Sequence, residues 1–224
     1  MLRAVIFDLD GTLLDRDAAS ERWFRSVLQR RPDLVPMERW PEALTRFLEL
    51  DAHGYNDRAQ FGRDVLEAFP SLSESTASFW FEFTAGLAAS VQAEPSVRAL
   101  LDRLGARMPI AILTNGSLRT QRAKLKAAQF EHLAAFISEE MGVEKPDPAA
   151  FAQVLKHLRI ESPADALFVG DDPVRDIQGA RAAGLRTCWV SRGRTWSLEG
   201  FSPDHTVAHV AELEGFEELR GRST

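Results

Sequence analysis

Acidic residues stand close together at two distant places in the sequence, in a pattern that suits metal and phosphate chemistry. Asp8 and Asp10 are separated by one leucine and followed by Gly11. Asp171 lies far along the chain, within Gly170-Asp171-Asp172. Carboxylate oxygens favour Mg²⁺ over zinc or copper. The residue types therefore predict that Asp8, Asp10 and Asp171 hold one Mg²⁺ ion.

A hydroxyl, an amide and a lysine are candidates for binding a phosphate group beside that ion. Thr114 and Asn115 offer hydrogen-bond donors, and Lys145 offers a positive charge. A carboxylate that attacks a phosphate meets a repulsion of roughly 4 kcal/mol between like charges about 4 Å apart at an intermediate dielectric. Mg²⁺ and Lys145 together would offset this repulsion. Asp8 then suits the role of nucleophile, because carboxylates form aspartyl-phosphate intermediates in phosphoryl transfer.

Asp10 is the candidate for the proton transfers of such a reaction. Crowding by other carboxylates and by the leaving group is expected to favour its protonated form. Asp10 would then protonate the leaving oxygen and later activate water. Gly11 permits the tight turn that brings both acids to one site.

Short apolar runs, typical of strands buried on both faces of a sheet, precede these polar groups. The runs lie at residues 3–7, 109–113, 134–137, 166–169 and 185–190, and helical patterns lie between them at 97–104, 118–128, 149–158 and 173–183. This alternation predicts an α/β fold with a parallel, Rossmann-like sheet between layers of helices. Ligands of such sheets bind outside the carboxyl ends of the strands, so the polar groups should converge at one edge.

Residues 15–90 interrupt the alternation with four helical patterns and no convincing strand. Eleven of the chain's twenty aromatic residues fall here. Their spacing is typical of the core of a small helical bundle rather than of a ligand pocket. We therefore expect a helical subdomain at 15–90, inserted into a core domain made of 1–14 and 91–224. Its polar loop at 51–56 is interpreted as a plain helix connection, with recognition of the leaving group as the alternative.

The composition restricts the partners and the location of the protein. A net charge of −6 disfavours nucleic acid, because phosphate backbones bind basic surfaces. No stretch approaches the roughly 20 apolar residues of a membrane span, and the N-terminus does not resemble a signal peptide. We expect a cytoplasmic monomer or homodimer. The single cysteine, Cys188, lies in an apolar run and is interpreted as a buried structural thiol.

Four segments resemble, in the correct order, the four motifs of the haloacid dehalogenase (HAD) superfamily. They are Asp8-Leu9-Asp10-Gly11-Thr12-Leu13, Thr114-Asn115-Gly116, Lys145-Pro146 and Gly170-Asp171-Asp172-Pro173-Val174-Arg175-Asp176. The resemblance covers the whole chain and implies a helical cap between the first two motifs. It also implies that Asp8 is nucleophile and metal ligand, and that Asp10 is the acid/base and binds the metal through its backbone carbonyl. Asp171 would be the third ligand, and Thr114 and Lys145 would hold the phosphate.

Two further acids and a basic loop have roles that the resemblance leaves open. Asp176 is expected to be an outer-shell acid that orients the metal's waters or Lys145. Asp172 either takes part in the metal site or caps the helix that begins near Pro173. The segment Arg192-Gly193-Arg194 is interpreted as a solvated loop, with an approach to an anionic substrate as the alternative.

The presence of Asp10 disfavours dehalogenation, because true haloacid dehalogenases lack the second aspartate of the first motif. Mutases similar to β-phosphoglucomutase carry a cap histidine roughly where Ser20 falls, so a mutase is also disfavoured. The sequence therefore predicts a Mg²⁺-dependent phosphatase that acts on a small soluble phosphorylated metabolite. A phosphotransferase or phosphomutase, and a phosphate-binding module without turnover, are the alternatives.

Overall fold

The computed structural model describes residues 2–219 of the chain. These residues divide into two compact units. We call residues 2–14 and 93–219 the sheet unit, and residues 15–92 the helical unit.

The sheet unit contains a six-stranded parallel sheet with the strand order β3-β2-β1-β4-β5-β6. The strands are β1 (Ala4–Phe7), β2 (Ile110–Thr114), β3 (Ala134–Ile137), β4 (Ala166–Gly170), β5 (Arg186–Val190) and β6 (His205–Val207). This arrangement confirms the predicted α/β, Rossmann-like fold, and the short β6 extends one edge beyond the five predicted runs. Cys188 in β5 is fully buried, as predicted. Burial, together with the charge of Glu212, raises the pKa of its thiol to about 12.

The helical unit consists of the four predicted helices and two short 3₁₀ segments. The helices are α1 (Arg16–Arg30), α2 (Trp40–Asp51), α3 (Arg58–Ala68) and α4 (Thr76–Ser90), and the 3₁₀ segments are Met37–Arg39 and Ala52–Gly54. Seven aromatic side chains are buried between the helices: Trp23, Phe24, Phe47, Phe61, Phe69, Phe79 and Phe83. The rings of Phe24 and Phe47 stack with centroids 4.3 Å apart. These aromatic residues therefore form the core of the unit, as predicted.

A buried ion pair ties α1 to the end of α2. Arg16 donates to both carboxylate oxygens of Asp51, and Ser20 Oγ donates to Asp51 Oδ2 at 3.0 Å. A Cβ at Gly54 would lie 2.6 Å from the guanidinium of Arg16, and the φ of Gly54 is 81°. Glycine is favoured at this position because a side chain would be strained in this left-handed backbone and would displace the arginine. Ser20, at the position where the mutase alternative would call for a histidine, therefore makes its hydrogen bond inside the helical unit.

The sheet unit also contains five helices and a π-helical turn. The helices are α5 (Pro95–Gly105), α6 (Leu118–Ala128), α7 (Ser138–Met141), α8 (Pro148–His157) and α9 (Gly179–Ala182); 3₁₀ segments lie at Pro163–Asp165, Val210–Gly215 and Glu217–Leu219. The π-helical turn, Pro173–Gln178, replaces the first part of the continuous helix predicted over 173–183. Such wide turns often occur at functional sites. Within residues 2–219, every helix is too short or too polar to cross a lipid bilayer.

Strand β1 lies at the point where the strand order of the sheet reverses. The chain proceeds from β1 to β2 and β3 on one side, then returns to β4 on the other. Phe7, the last residue of β1, is in register with Ile112 of β2 and Val169 of β4. The crevice at the carboxyl end of such a switch point is where doubly wound sheets bind ligands. The next residue after Phe7 is Asp8.

Candidate active site

The turn after β1 brings Asp8 and Asp10 to this edge of the sheet. The N–H of Asp8 still donates to Val169 O at 2.9 Å, so Asp8 continues the alignment with β4. The chain then turns at Gly11, whose φ is 84°. A Cβ at Gly11 would lie 2.5 Å from Asp171 Oδ2. Glycine is required here because the backbone angle and the neighbouring carboxylate both exclude a side chain.

Three buried carboxylates, Asp8, Asp171 and Asp176, form what we call the acid cluster. One oxygen from each lies within 4.8 Å of the others. Each residue is at most 6% exposed. Asp8 follows β1, Asp171 follows β4, and Asp176 lies in the π-helical turn after Asp171. Adjacent parallel strands therefore bring together acids that are more than 160 positions apart in the sequence.

Lys145 places one positive charge inside the acid cluster. Its Nζ lies 2.6 Å from Asp8 Oδ1 and 2.6 Å from Asp176 Oδ1, and the residue is 3% exposed. Burial alone would lower the pKa of Lys145. The carboxylates of Asp176 and Asp8 outweigh burial and raise this pKa above its ordinary value. The lysine is therefore an ammonium at neutral pH.

Asn115 holds the backbone of Lys145 in place. Its Nδ2 donates to Lys145 O at 2.8 Å, and Lys145 N donates to Asn115 Oδ1 at 3.0 Å. Both polar atoms of the side chain are thus engaged with one residue. These contacts show that the Asn115 side chain positions the lysine, while the expectation that an amide of Asn115 donates to the phosphate stays a prediction.

Asp176 and Asp172 have different surroundings, although they are only four residues apart. Asp176 Oδ1 accepts from Lys145, and its Oδ2 accepts the N–H groups of Asp171 and Asp172, each at 3.0 Å. Asp176 is therefore fixed by three donors and contacts Lys145 directly. Asp172 Oδ1 accepts from the two N–H groups at the start of the π-helical turn, at 2.8 and 2.9 Å. Of the two alternatives for Asp172, the structure shows the capping one.

The acid cluster carries more negative charge than Lys145 can balance. Burial raises the pKa of Asp8 well above its ordinary value; Lys145 opposes this rise, while Asp176 and Asp171 add to it. Asp8 Oδ2 is buried and has no hydrogen-bond partner within residues 2–219. A set of oxygen donors with one unsatisfied carboxylate oxygen fits Mg²⁺, because this ion prefers oxygen ligands and its charge would offset the buried carboxylates.

Asp10 lies in a second group of polar residues, which we call the Asp10 cluster: Asp10, Thr114, Gln121 and Lys124. Lys124 Nζ donates to Asp10 Oδ2 at 2.6 Å, and Gln121 Nε2 donates to the same oxygen at 3.0 Å. Gln121 Nε2 also lies 2.6 Å from Thr114 Oγ1. Asp10 Oδ2 thus contacts an ammonium and an amide, and the expected crowding of Asp10 by other carboxylates and by the leaving group stays a prediction.

Sequence reasoning misses Gln121 and Lys124, because charges on a helix are ordinarily assigned to its solvent face. On α6, however, Gln121 and Lys124 share the buried face with Leu125 and Ala128. The signal that identifies them is a polar pair at spacing i, i+3 in phase with apolar residues. Such a pair, directly after a strand that carries a candidate site residue, points back toward the site.

The loop after β5 contacts both aspartate-bearing turns, so its interpretation as a solvated loop is wrong. Arg192 Nε donates to Gly11 O. Arg194 Nη2 donates to Asp171 O at 2.8 Å and to Asp171 Oδ2 at 3.0 Å. Trp189 Nε1 donates to Asp171 O at 2.9 Å, and the Arg194 guanidinium lies 5.9 Å from the centroid of the Trp189 ring. These side chains hold the turns that carry the acids.

Known proteins similar to this chain include phosphatases and dehalogenases. The family described as haloacid dehalogenase-like hydrolase matches residues 2–184. A phosphoserine phosphatase of Thermus thermophilus is 38% identical over 122 residues, which cover 53% of this chain and 49% of that protein. The chain thus spans about half the length of that relative. The (S)-2-haloacid dehalogenase 2 of a Pseudomonas species is 29% identical over 222 residues, covering 95% of this chain and 94% of that protein.

One further relative and one solved structure match over nearly the full length. The N-acylneuraminate-9-phosphatase of Homo sapiens is 29% identical over 232 residues, covering 95% of this chain and 92% of that protein. The crystal structure of the HAD-hydrolase YfnB of Bacillus subtilis has a TM-score of 0.77 at 23% identity, and the match covers 96% of this chain and 97% of that one. At this identity the structural likeness supports the fold.

Proposed function

The chain belongs to the haloacid dehalogenase-like hydrolase family, and from that premise we propose that it is a Mg²⁺-dependent phosphatase. Its substrate would be a small phosphorylated metabolite, which it would hydrolyse through an aspartyl-phosphate on Asp8. The observation that carries the proposal is the state of Asp8: one oxygen is paired with Lys145, and the other is buried without a hydrogen-bond partner in the described part of the chain. A carboxylate that acts as a nucleophile beside a cation site requires one oxygen that no protein donor engages.

The residues proposed to hold Mg²⁺ are Asp8 and Asp171 through their side chains and Asp10 through its backbone carbonyl. When bound, the ion supplies the positive charge that lets an anionic carboxylate meet an anionic phosphate. Asp176, the third member of the acid cluster, is already held by three donors: Lys145 and the N–H groups of Asp171 and Asp172.

In the first half of the proposed reaction, an oxygen of Asp8 attacks phosphorus and the bond from phosphorus to the ester oxygen breaks. The electron pair of that bond goes to the ester oxygen, which takes a proton from Asp10. Asp10 pairs with Lys124 as a carboxylate in the free protein and is proposed to take up this proton when the leaving group binds beside it. Thr114 Oγ1 accepts a hydrogen bond from Gln121, so its own proton is available for a phosphate oxygen. Lys145 offsets the charge between nucleophile and phosphate.

In the second half, water attacks the phosphorus of the aspartyl-phosphate. Asp10, now a carboxylate, takes a proton from the attacking water. The bond from phosphorus to the Asp8 oxygen breaks, and its electron pair returns to the Asp8 carboxylate. Inorganic phosphate leaves, and Asp8 and Asp10 are restored to their starting states.

We propose that the helical unit, which the family resemblance identifies as a cap, selects the substrate. The acid cluster and the Asp10 cluster contain groups that suit a phosphate and an ester oxygen, which all phosphomonoesters share. Discrimination between metabolites then has to come from other residues. Replacement of residues 15–92 by the corresponding unit of a relative should change the preferred metabolite and leave hydrolysis of p-nitrophenyl phosphate intact.

Halide release from a 2-haloacid is a second candidate, favoured by the 29% identity to a dehalogenase over 95% of this chain. Dehalogenation needs a nucleophilic aspartate but no group that protonates an ester oxygen. In this chain Asp10 offers such a group and is held by Lys124 and Gln121. This arrangement favours the phosphatase.

The test is a screen of the purified protein with Mg²⁺ against p-nitrophenyl phosphate and a panel of phosphorylated metabolites. Inorganic phosphate is measured, and a parallel assay measures chloride released from 2-chloropropionate. We expect phosphate release, no chloride release, and a loss of at least about 10³-fold in the Asp8→Asn variant. The matched control is Asp102→Asn on the surface of α5, which should retain wild-type activity.

Three outcomes would contradict the proposal. Chloride release without phosphate release would identify a dehalogenase. Isomerisation of a sugar phosphate without free phosphate would identify a mutase. An absence of turnover with every compound would point to a phosphate-binding module, which an affinity measurement with inorganic phosphate would then establish.

A further inference from the structure

Lys124 is a buried lysine whose side chain ends on Asp10. It lies in the middle of α6 and is 4% exposed, and its Nζ donates to Asp10 Oδ2 at 2.6 Å. Gln121, one turn earlier on the same helix face, is 2% exposed and donates to the same oxygen at 3.0 Å. Two donors from one helix therefore fix one oxygen of the Asp10 carboxylate.

Burial of a lysine is costly unless its charge is paired. The buried face of α6 also carries Leu125 and Ala128, which are core residues. An unbranched apolar side chain at position 124 would fill the same space without the cost of burying an ammonium. A lysine at this position therefore indicates a requirement for positive charge beside Asp10.

We propose that Lys124 is a positioning residue that holds Asp10 for proton transfer to the leaving oxygen. The inference rests on the proposed function, in which Asp10 is the acid and then the base. When the ester bond breaks, its electron pair goes to the ester oxygen, and the proton of Asp10 moves to that oxygen. Asp10 is left as a carboxylate, whose new charge the Lys124 ammonium stabilises. Because two donors engage Oδ2, the transferred proton is assigned to Oδ1.

Gln121 extends this arrangement to the phosphate-binding side of the site. The same Nε2 that contacts Asp10 lies 2.6 Å from Thr114 Oγ1. One amide therefore fixes both the proposed proton donor and the proposed phosphate ligand. The buried face of α6 thus sets the distance between the proton and the phosphate.

The test compares two esters that differ in how much they need a proton on the leaving oxygen. p-Nitrophenolate can leave without being protonated, whereas an alkoxide needs a proton as it leaves. kcat/KM is measured for p-nitrophenyl phosphate and for the alkyl phosphate that the wild-type protein hydrolyses fastest. For each ester, kcat/KM reports the steps up to ester cleavage. Hydrolysis of the aspartyl-phosphate, which both esters share, therefore does not obscure the result.

For Lys124→Met we expect kcat/KM of the alkyl ester to fall about 10²-fold and that of the aryl ester to fall less than about threefold. Asp10→Asn should show the same selectivity. In the double variant, the alkyl ester should lose no more than in Asp10→Asn alone, because both changes remove one function. The matched control is Lys126→Met, an exposed lysine of the same helix, which should behave as the wild type.

Equal losses on both esters would show that Lys124 serves the fold alone, and additive losses in the double variant would show that it acts independently of Asp10; either result would overturn the inference. If Lys124→Met does not fold, Lys124→Arg retains the charge with a different reach and should show the same selectivity with a smaller loss of about tenfold. If the wild-type protein releases phosphate from neither ester, the proposed function fails and this inference fails with it. Wild-type turnover combined with equal losses rejects the inference alone.

Discussion

The acid cluster and the Asp10 cluster share one turn of the chain but balance their charges differently. In the acid cluster, three buried carboxylates face the Lys145 ammonium and the partly exposed Arg194 guanidinium. In the Asp10 cluster, one carboxylate faces the Lys124 ammonium, with an amide beside it. Asp8 and Asp10 are two residues apart, yet the first lies in a region of excess negative charge and the second in a balanced one.

This difference indicates what each region requires from outside the chain. Buried charges that are not balanced carry a large desolvation cost. The acid cluster can reduce that cost by protonation of Asp8, or by binding a further cation that keeps the acids ionised, which agrees with the proposed Mg²⁺ site. The Asp10 cluster is balanced by its own residues, which agrees with a role in proton transfer. The two regions should therefore respond differently to mutation and to metal.

The largest expected effect is that of Lys145→Met on the metal-free protein. Three buried carboxylates would then lack their closest positive charge, and loss of one partner from a buried pair typically costs about 3–5 kcal/mol. Urea denaturation in EDTA measures this loss. Lys124→Met leaves a single, partly exposed carboxylate and should cost less. Equal costs for the two variants would remove the distinction between the clusters.

The response to Mg²⁺ should be the next largest effect and should belong to the acid cluster. At a concentration 100 times Kd, a ligand that binds the folded state adds about 2.7 kcal/mol of stability. Thermal melts with Mg²⁺ and with EDTA measure this gain. Asp8→Asn should lose most of it, while Asp10→Asn, which keeps its backbone carbonyl, should retain most. A wild-type gain in Asp8→Asn would argue against the proposed site.

A smaller effect is expected for Arg194, which contacts both the carbonyl and the carboxylate of Asp171. Arg194→Lys retains the charge but not the planar group that makes both contacts. Outer-shell changes of this kind weaken metal binding by about 10- to 100-fold, and we expect the lower value. Calorimetric titration with Mg²⁺ measures the affinity. Arg175→Lys, an exposed control, should leave it unchanged; a similar loss there would indicate a general effect of surface charge.

The acids and Lys145 could be predicted to converge because parallel strands end at a common edge of the sheet. The run before Asp8 and the run before Asp171 are recognisable from their apolar residues alone, and the structure pairs them as β1 and β4. β1 and β4 are neighbours because the strand order reverses at β1. The fold and the meeting place of these groups are thus encoded in short local patterns.

The side chains that fix the acids could not be predicted in the same way. Lys124 and Arg194 reach the site from a helix and a loop whose packing depends on tertiary structure. A lysine on a helix and an arginine in a loop are most often solvated, and local periodicity does not show which ones turn inward. The capping role of Asp172 likewise depends on the geometry of the π-helical turn, where its carboxylate accepts from two N–H groups. Contacts between elements, rather than the elements themselves, are the part that sequence patterns leave undetermined.

The smallest expected effect is a gain: Asp8→Asn should make the metal-free protein more stable at neutral pH. The pKa of Asp8 is raised in the folded state, with burial as the main cause. The folded state therefore prefers the protonated acid, and wild-type stability falls as pH rises from the ordinary pKa of an aspartate through the raised one. Asn has no charge to bury. The variant should therefore have a higher melting temperature than the wild type at pH 7, by less than the effects described above.

The pH dependence separates this explanation from a simple change in packing. The advantage of Asp8→Asn should vanish below about pH 4, where the aspartate is protonated in both states, and should grow as pH rises. Melts in EDTA across this range measure it. The matching change in the balanced cluster, Asp10→Asn, removes a carboxylate that Lys124 already pairs and should bring no such gain. An advantage for Asp8→Asn that does not change with pH would mean that its charge is not the origin of the cost, and the contrast between the two clusters would then rest on shape rather than on charge.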